Sequence, residues 1–336
     1  MVRKPRQTRK AQAGPGAKTA PPVVSFVVPC YNEEAVLPYT LRELSAALKG
    51  LIADGAVADN SYLFFVDDGS RDDTWALIEK AHTDDSRHVR GLKLSRNVGH
   101  QKALLAGLLG QIGKADAAIS LDADMQDNVA VTRQMIERFV NGGAEIVFGV
   151  RSERPTDTVF KRKTAHWYYG LLRWLGVEVV FDHGDFRLIG DRALRALAQF
   201  GEVQVFLRGI VMQLGFKTDV VYFERKPRLH GETKYPLSKM LAFASDGITS
   251  FSVTPLRLVT TLGLLLFVLS IVAAIWVVVS WMAGRTIEGW ASLMIIFLLV
   301  SSFQTLALGV IGEYVGKTYF EAKSRPRYIV EKELTS

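Results

Sequence analysis

Polar side chains collect at four places in the sequence, each directly after a short apolar run. The clusters read Pro29-Cys30-Tyr31-Asn32-Glu33-Glu34, Asp67-Asp68-Gly69-Ser70, Ser95-Arg96-Asn97 and Asp122-Ala123-Asp124-Met125-Gln126-Asp127. Any one of them could be ordinary turn chemistry, because Asp and Asn favour turns. Three of the four are acidic, and carboxylate oxygens suit a hard cation such as Mg²⁺ or Mn²⁺. Such a cation can bridge a diphosphate and neutralise the charge that develops on it as a leaving group.

Asp122 and Asp124 are the strongest candidates for binding such a cation. Both carboxylates face the same crevice if the preceding strand continues through them. The sequence has neither a G-x-G-x-x-G after its first strand nor a G-x-x-x-x-G-K-[ST], which excludes a dinucleotide-binding Rossmann domain and a P-loop NTPase. Cys30 is the only cysteine, which excludes a disulfide framework and a multi-cysteine metal site. A carboxylate-rich nucleotide site remains.

The elements that must position these clusters alternate between strand and helix patterns. The predicted strands are Val23–Val28, Tyr62–Val66, Val89–Leu94, Ala117–Leu121 and Glu145–Val150. Helices are predicted over 37–51, 75–81, 100–111 and 129–140, with Ser70 and Asp73 starting the second and Asn128 capping the last. This alternation predicts an α/β domain with a mostly parallel sheet, helices on both faces, and the four clusters at the carboxyl ends of its strands.

Two long apolar runs lie near the C-terminus. Leu258–Gly284 and Gly289–Gly312 contain no charged residue, and each exceeds the roughly 20 residues that a helix needs to cross a bilayer. The alternative is a buried helical hairpin in a soluble core. Basic residues flank the pair on both sides, whereas the connector carries only Arg285. The positive-inside rule therefore places both termini and the α/β domain in the cytoplasm, on a multi-pass protein of the cytoplasmic (inner) membrane.

The first 20 residues carry six basic side chains and no acid, within a chain of net charge +7. This composition predicts a disordered arm near anionic lipid head groups. Nucleic-acid binding is not expected, because the arm has no interleaved aromatic residues and no folded reader beside it.

Several motifs together resemble a known family. VVPCYNEE, VDDGSRDDT, LSRNVGHQKALLAGL and LDADMQD resemble family 2 glycosyltransferases with the GT-A fold. GDFRL, FLRG, GETKYPL, ITSFSVTPLR and GEYVGKTY…RPRY resemble bacterial polyprenyl-phosphate glycosyltransferases, which are relatives of dolichol-phosphate mannose synthase. The expected organisation is a basic arm (1–20), a GT-A catalytic domain (21–225), a juxtamembrane interfacial segment (226–256), two transmembrane helices (257–313, about 258–283 and 290–312) and a cytoplasmic tail (314–336).

The resemblance also implies roles for individual residues. Nucleobase and ribose contacts fall on Pro29, Tyr31, Glu33, Asp67, Asp68 and Asp122. Metal ligation falls on Asp122, Asp124 and Gln126. The lipid phosphate is expected at Arg151 and Arg162, and the diphosphate at Arg228 and Lys234, so the catalytic set is Asp122, Asp124, Arg151, Arg162 and Lys234. Asp185 is an acid near the acceptor side whose role, structural or catalytic, stays open.

The implied reaction is inverting transfer of a hexose from a nucleotide diphosphate sugar to polyprenyl phosphate, such as undecaprenyl phosphate. Likeness to the subfamily favours UDP-glucose as donor, Mg²⁺ or Mn²⁺ as cofactor and a homo-tetramer. A processive polysaccharide synthase is an alternative, but Gly170 occupies the Gln position of its Q-x-x-R-W motif. A non-catalytic membrane scaffold is another, and the intact acidic clusters argue against it.

Overall fold

The structure is a computed structural model that describes residues 20–151, 183–203, 205–224, 254–283 and 289–335. Eight strands are described: β1 Val24–Cys30, β2 Tyr62–Asp67, β3 Val89–Leu94, β4 Ala117–Ser120, β5 Ile146–Arg151, β6 His183–Gly190, β7 Thr218–Phe223 and β8 Val330–Leu334. The α-helices are α1 Leu37–Ala53, α2 Thr74–Asp84, α3 His100–Leu109, α4 Thr132–Val140, α5 Asp191–Leu197, α6 Leu207–Gln213, α7 Thr254–Met282 and α8 Trp290–Ala322.

All eight strands form one sheet in the order β7-β5-β6-β4-β1-β2-β3-β8. The centre is parallel, because β1 pairs in parallel with both β2 and β4, and β2 with β3. This confirms the predicted α/β class with a mostly parallel sheet. Antiparallel pairing enters at β6, which lies between β4 and β5, and at β8 on the edge. Because β1 to β4 are parallel, their carboxyl ends lie along the same side of the sheet, as the predicted grouping of the polar clusters requires.

Helices cover both faces of the sheet and build a core on each, as predicted. Leu44 and Leu48 of α1 belong to the core on one face, and Leu104 and Leu105 of α3 belong to the core on the other. Helix α3 lies very close to the sheet at Gly107. A Cβ added to this residue would lie 2.5 Å from a methyl of Val27. Only a glycine permits this approach, and it fixes the helix whose first residue is His100.

The condition stated for Asp122 and Asp124 is not met, and the predicted cap of the second helix was wrong. Strand β4 ends at Ser120, so Asp122 and Asp124 lie in a turn instead of on a continuing strand. The chain turns directly after the strand: the N–H of Met125 donates to the carbonyl of Asp122 (3.4 Å), and Met125 adopts a φ of +53°. Helix α2 begins at Thr74, and neither predicted residue caps it: the side chain of Asp73 forms no capping bond, and Oγ of Ser70 accepts from the N–H of Asn32 in the loop after β1. Asn128 is confirmed as a helix cap, since its side chain accepts from the N–H of Ala130, but it caps a 3-10 helix, Val129–Val131, and α4 begins after that at Thr132.

The two C-terminal helices are long, with 29 residues in α7 and 33 in α8. Many of their described apolar side chains are exposed, among them Leu264, Phe267, Leu299 and Leu308. Within the described part of the chain, no helix meets the length and hydropathy expected of a membrane span. The interfacial segment predicted for 226–256 lies almost entirely outside the described residues.

Candidate active site

The loops after β1 and β2 are joined by reciprocal hydrogen bonds. The N–H of Asn32 donates to Oγ of Ser70 (3.0 Å), and the N–H of Arg71 donates to Oδ1 of Asn32 (2.9 Å). The N–H of Glu33 donates to Oγ1 of Thr74 (2.8 Å). Asn32 adopts a φ of +53°, a conformation that Asn tolerates better than most residues. These hydrogen bonds therefore hold the two loops together, and Tyr31 is exposed beside them.

Asp67 and Asp68 are buried at the end of β2 and bind backbone N–H groups. Asp67 accepts from Ser70 (3.2 Å), whereas the two oxygens of Asp68 accept separately from Val98 (2.7 Å) and Gly99 (2.9 Å). Burial raises the pKa of both carboxyls, although these hydrogen bonds oppose part of that effect. Asp68 thus ties the loop after β2 to the start of α3, and its contact with a nucleotide stays a prediction.

Gly69 is required where these loops meet. Its φ is +65°, and a Cβ there would lie 2.5 Å from the carbonyl carbon of Arg96 and 2.6 Å from the nitrogen of Asn97. Backbone atoms cannot move aside as a flexible side chain can. We expect Gly69→Ala to lower the free energy of unfolding by more than about 2 kcal/mol, measured by chemical denaturation.

Gly55→Ala is the matched control for this prediction. Gly55 has a similar φ of +68°, but a Cβ there would meet nothing within 4 Å. The control pays only the cost of the left-handed conformation, about 1 kcal/mol. Equal losses in the two variants would contradict the role assigned to the close contact with Arg96 and Asn97.

The turn after β4 presents oxygen ligands at the centre of the sheet edge. Asp122 and Asp124 are partly exposed, whereas Gln126 and Asp127 are buried. Oδ1 of Asp124 accepts from the N–H of Gln126 (3.2 Å), and Thr40 anchors the turn by donating to the carbonyl of Ala123 (2.7 Å). Within the described residues, the buried Oε1 of Gln126 has no hydrogen-bond partner.

This donor set fits a hard divalent cation. Carboxylates and an amide oxygen are the ligands that Mg²⁺ and Mn²⁺ prefer, and the buried Oε1 of Gln126 lacks the partner that its burial calls for. The described residues contain no group of three or more His, Cys, Asp or Glu side chains arranged to hold a metal.

An ionic cluster lies beside this turn, built on the buried side chains of Asp185 and Arg187. Asp185 of β6 contacts Nη2 of Arg187 (2.5 Å), Nη2 of Arg208 (3.2 Å), Nε2 of Gln101 (3.2 Å) and Nε2 of His100 (3.3 Å). Burial alone would raise the pKa of Asp185. The hydrogen bond from His100 and the two guanidinium charges outweigh it and hold that pKa well below the usual range.

His100 connects the cluster to Asp122. Its Nε2 lies 3.6 Å from Oδ1 of Asp122, and it stands at the first residue of α3. Burial lowers the pKa of His100, but the hydrogen bond with Asp185 and the charges of Asp122 and Asp185 raise it above its ordinary value. The cluster therefore places positive charge directly behind the turn that carries Asp122.

The structure brings together the predicted residues of the first, second and fourth clusters at one edge. Pro29 lies within β1, in register with Val66 of β2. Arg151 ends β5 and is described only by its backbone, in register with Phe223. Arg162, Arg228 and Lys234 lie outside the described residues, so their predicted roles remain predictions.

Sequence reasoning missed four residues of the cluster: His100, Gln101, Arg187 and Arg208. A signal for them is present, since His100 and Gln101 come three and four residues after Asn97 of the third polar cluster, and GDFRL and FLRG contain the two arginines. What the sequence lacked was the pairing of β6 with β4, which brings Asp185 and Arg187 next to Asp122.

Comparison with known proteins agrees with this architecture. Residues 25–198 match the model of glycosyl transferase family 2, and residues 254–318 match that of the GtrB C-terminal hairpin. The uncharacterized glycosyltransferase YkoT of Bacillus subtilis (strain 168) is 47% identical over 317 residues, covering 94% of this chain and 94% of the relative. The prophage bactoprenol glucosyl transferase homolog of Escherichia coli (strain K12) is 36% identical over 314 residues, covering 92% and 98%.

Among solved structures, mannosyl-3-phosphoglycerate synthase from Rubrobacter xylanophilus is similar, with 17% identity, a TM-score of 0.45, and coverage of 72% of this chain and 75% of that one. The family match spans more than half of the chain, and relatives well above 30% identity cover nearly all of it. The chain therefore belongs to glycosyl transferase family 2 and is a glycosyltransferase whose catalytic domain is followed by a hairpin of the GtrB C-terminal type.

Proposed function

We propose that this protein transfers a hexose, with glucose from UDP-glucose as the first choice, to polyprenyl phosphate at the cytoplasmic face of the membrane, with inversion at the anomeric carbon. The observation that carries the proposal is the turn after β4, where Asp122 and Asp124 are partly exposed beside the ionic cluster around Asp185. Relatives of 36% identity over almost the whole chain are named bactoprenol glucosyl transferases, which supports the acceptor.

The acceptor supplies its own nucleophile. A phosphate monoester has a second pKa near about 6 and is largely dianionic at neutral pH, so no side chain needs to remove a proton from it. Asp185 is poorly suited to act as a base, because its lowered pKa and its two arginine partners hold it ionised and engaged. We therefore assign Asp185 to holding the site together.

The remaining task is to position two anions and screen their repulsion. Asp122, Asp124 and Gln126 would hold Mg²⁺ or Mn²⁺, whose chemistry is to neutralise charge on a leaving diphosphate. Arg228 and Lys234 would bind the same diphosphate. Arg151 and Arg162 would bind the phosphate of the lipid acceptor. The nucleobase and ribose of the donor would contact five residues at the ends of β1 and β2: Pro29, Tyr31, Glu33, Asp67 and Asp68.

Helices α7 and α8 are proposed as two membrane spans with both chain termini in the cytoplasm. Their exposed apolar side chains support this, because monomeric soluble proteins rarely expose apolar surface of such extent. The basic flanks and the lone Arg285 of the connector support the orientation. This arrangement would bring the sheet edge near the head group of a lipid acceptor.

A transfer assay tests the proposal. Purified protein is given radiolabelled nucleotide sugars and undecaprenyl phosphate, and we expect one sugar per lipid, fastest with UDP-glucose. Undecaprenol without phosphate is the control and should accept nothing, because a neutral hydroxyl lacks the nucleophilic dianion. Polymeric product would favour a processive synthase instead, and nucleotide binding without transfer would favour a scaffold.

A further inference from the structure

After α8 the chain returns to the catalytic sheet and adds a strand to it. Strand β8 pairs antiparallel with β3, with Gly91 opposite Leu334 and Lys93 opposite Lys332. The three charged side chains of β8 each form an ion pair with the domain: Glu331 with Lys93 (3.0 Å), Lys332 with Glu79 (2.5 Å) and Glu333 with Lys114 (2.9 Å). Because neighbouring side chains of a strand point to opposite faces, these pairs attach β8 from both sides.

A second attachment lies at the end of α8 itself. Oε2 of Glu321 accepts from the N–H of Val203 (2.8 Å), and Nη2 of Arg327 donates to the carbonyl of Phe200. The carbonyl of Ile329 then accepts from the N–H of Ser95 (3.0 Å), just before β8 begins. The last turn of α8 and the segment after it are therefore bonded to the domain at several points.

The segment that Glu321 and Arg327 hold is joined closely to the active site. Phe200 and Val203 lie between α5 and α6, and α6 begins at Leu207. The N–H of Leu207 donates to Oε1 of Gln101 (3.1 Å), and the carbonyl of Leu207 accepts from Arg187 (3.4 Å). One short stretch of chain thus contacts the end of α8 and, a few residues later, the cluster around Asp185.

Charge at this junction depends on Arg327. Burial, followed by the charge of Glu321, raises the pKa of Glu202, and Arg327 opposes that rise. The carboxylates of Glu202 and Glu321 therefore both lie near the guanidinium of Arg327. Loss of Arg327 would remove a hydrogen bond and leave the two acids to repel each other.

We propose that Glu321 and Arg327 are positioning residues, and that the chain from 321 to 334 is a strap that fixes the active site relative to the end of α8. The inference rests on the proposed function, in which α8 is embedded in the membrane and the acceptor phosphate stands at the height of the head groups. The nucleotide is held by the sheet and the acceptor by the bilayer. Small displacements between reacting groups cost much of the rate, so a fixed separation between sheet and helix is needed.

The test compares two acceptors in each variant. Glu321→Ala and Arg327→Ala remove the contacts, whereas Glu321→Gln keeps an acceptor oxygen and Arg327→Lys keeps the charge. Lys323→Ala is the control, because Lys323 stacks on Tyr319 of the same helix (4.0 Å). The acceptors are undecaprenyl phosphate in vesicles and a short-chain, water-soluble polyprenyl phosphate.

For the two Ala variants we expect the apparent KM for the vesicle acceptor to rise about tenfold. The KM for the soluble acceptor and the Kd for the nucleotide should change little, because the soluble acceptor does not depend on the height of the site. Glu321→Gln should recover most of the loss. An unchanged KM for the vesicle acceptor overturns the proposal, as does an equal loss with both acceptors, which would indicate a purely structural role.

A distance measurement separates this inference from the proposed function. Spin labels at Ala322→Cys on α8 and Arg42→Cys on α1, in a Cys30→Ser background, report the separation of helix and domain; both labelled positions are exposed. We expect one narrow distance distribution, and a broad one once Glu321→Ala and Arg327→Ala are combined. A distribution that stays narrow overturns the strap. If the unaltered protein transfers no sugar to either acceptor, the proposed function fails, and the distances still test the attachment.

Discussion

Asp124→Asn is expected to reduce sugar transfer by more than tenfold, which corresponds to more than about 1.4 kcal/mol of transition-state stabilisation. The amide lacks the negative charge with which the carboxylate of Asp124 would attract and neutralise a hard cation. It retains an oxygen that can accept from the N–H of Gln126, so the turn after β4 should keep its conformation. Initial rates at saturating donor and acceptor, over a range of Mn²⁺ concentrations, measure the effect.

Asp84→Asn is the control for this change. Asp84 is an exposed acid at the end of α2 and loses the same charge. The transfer rate of Asp84→Asn should match that of the unaltered protein. The unfolding temperatures of Asp84→Asn and Asp124→Asn should both equal that of the unaltered protein. Titration with Mn²⁺ by electron paramagnetic resonance should show weaker binding only for Asp124→Asn. If Asp124→Asn retains more than about a tenth of the rate of the unaltered protein, Asp124 is not a metal ligand needed for transfer.

Asp185→Ala is expected to lower the free energy of unfolding by about 3–5 kcal/mol. The carboxylate is the common partner of Arg187, which is fully buried, and of Arg208. Removing it leaves a buried guanidinium without its counter-charge, which costs more than the ion pair itself contributes. Asp219→Ala is the matched control, because its pair with Arg138 is exposed and such pairs contribute roughly 0–1 kcal/mol.

The effect of Asp185→Ala should also depend on pH. The folded-state pKa of Asp185 lies well below its ordinary value of about 4, so its stabilising effect is fully present above that value. It is lost as pH falls through the folded-state pKa. Unfolding curves of the unaltered protein and the variant should therefore converge as the pH is lowered from about 4. A difference that stays constant between neutral and strongly acidic pH would contradict the ionised state assigned to Asp185.

The sequence by itself determined where the acidic groups gather. Strand-length apolar runs alternating with helical periodicity lead to a parallel arrangement, and parallel strands place their carboxyl ends at one edge. The sequence pattern therefore places the clusters at the ends of β1, β2 and β4 together. Asn128 as a helix cap and the two long C-terminal helices were equally predictable, because caps and helix length depend on neighbours in sequence.

The tertiary structure alone decided what surrounds these acids. Asp185 and Arg187 reach Asp122 because β6 pairs antiparallel with β4, and Arg208 arrives from a separate helix. Strand β8 joins β3 across 238 residues of sequence. Such pairings are set by packing and by charges that meet only in three dimensions, and no local propensity encodes them.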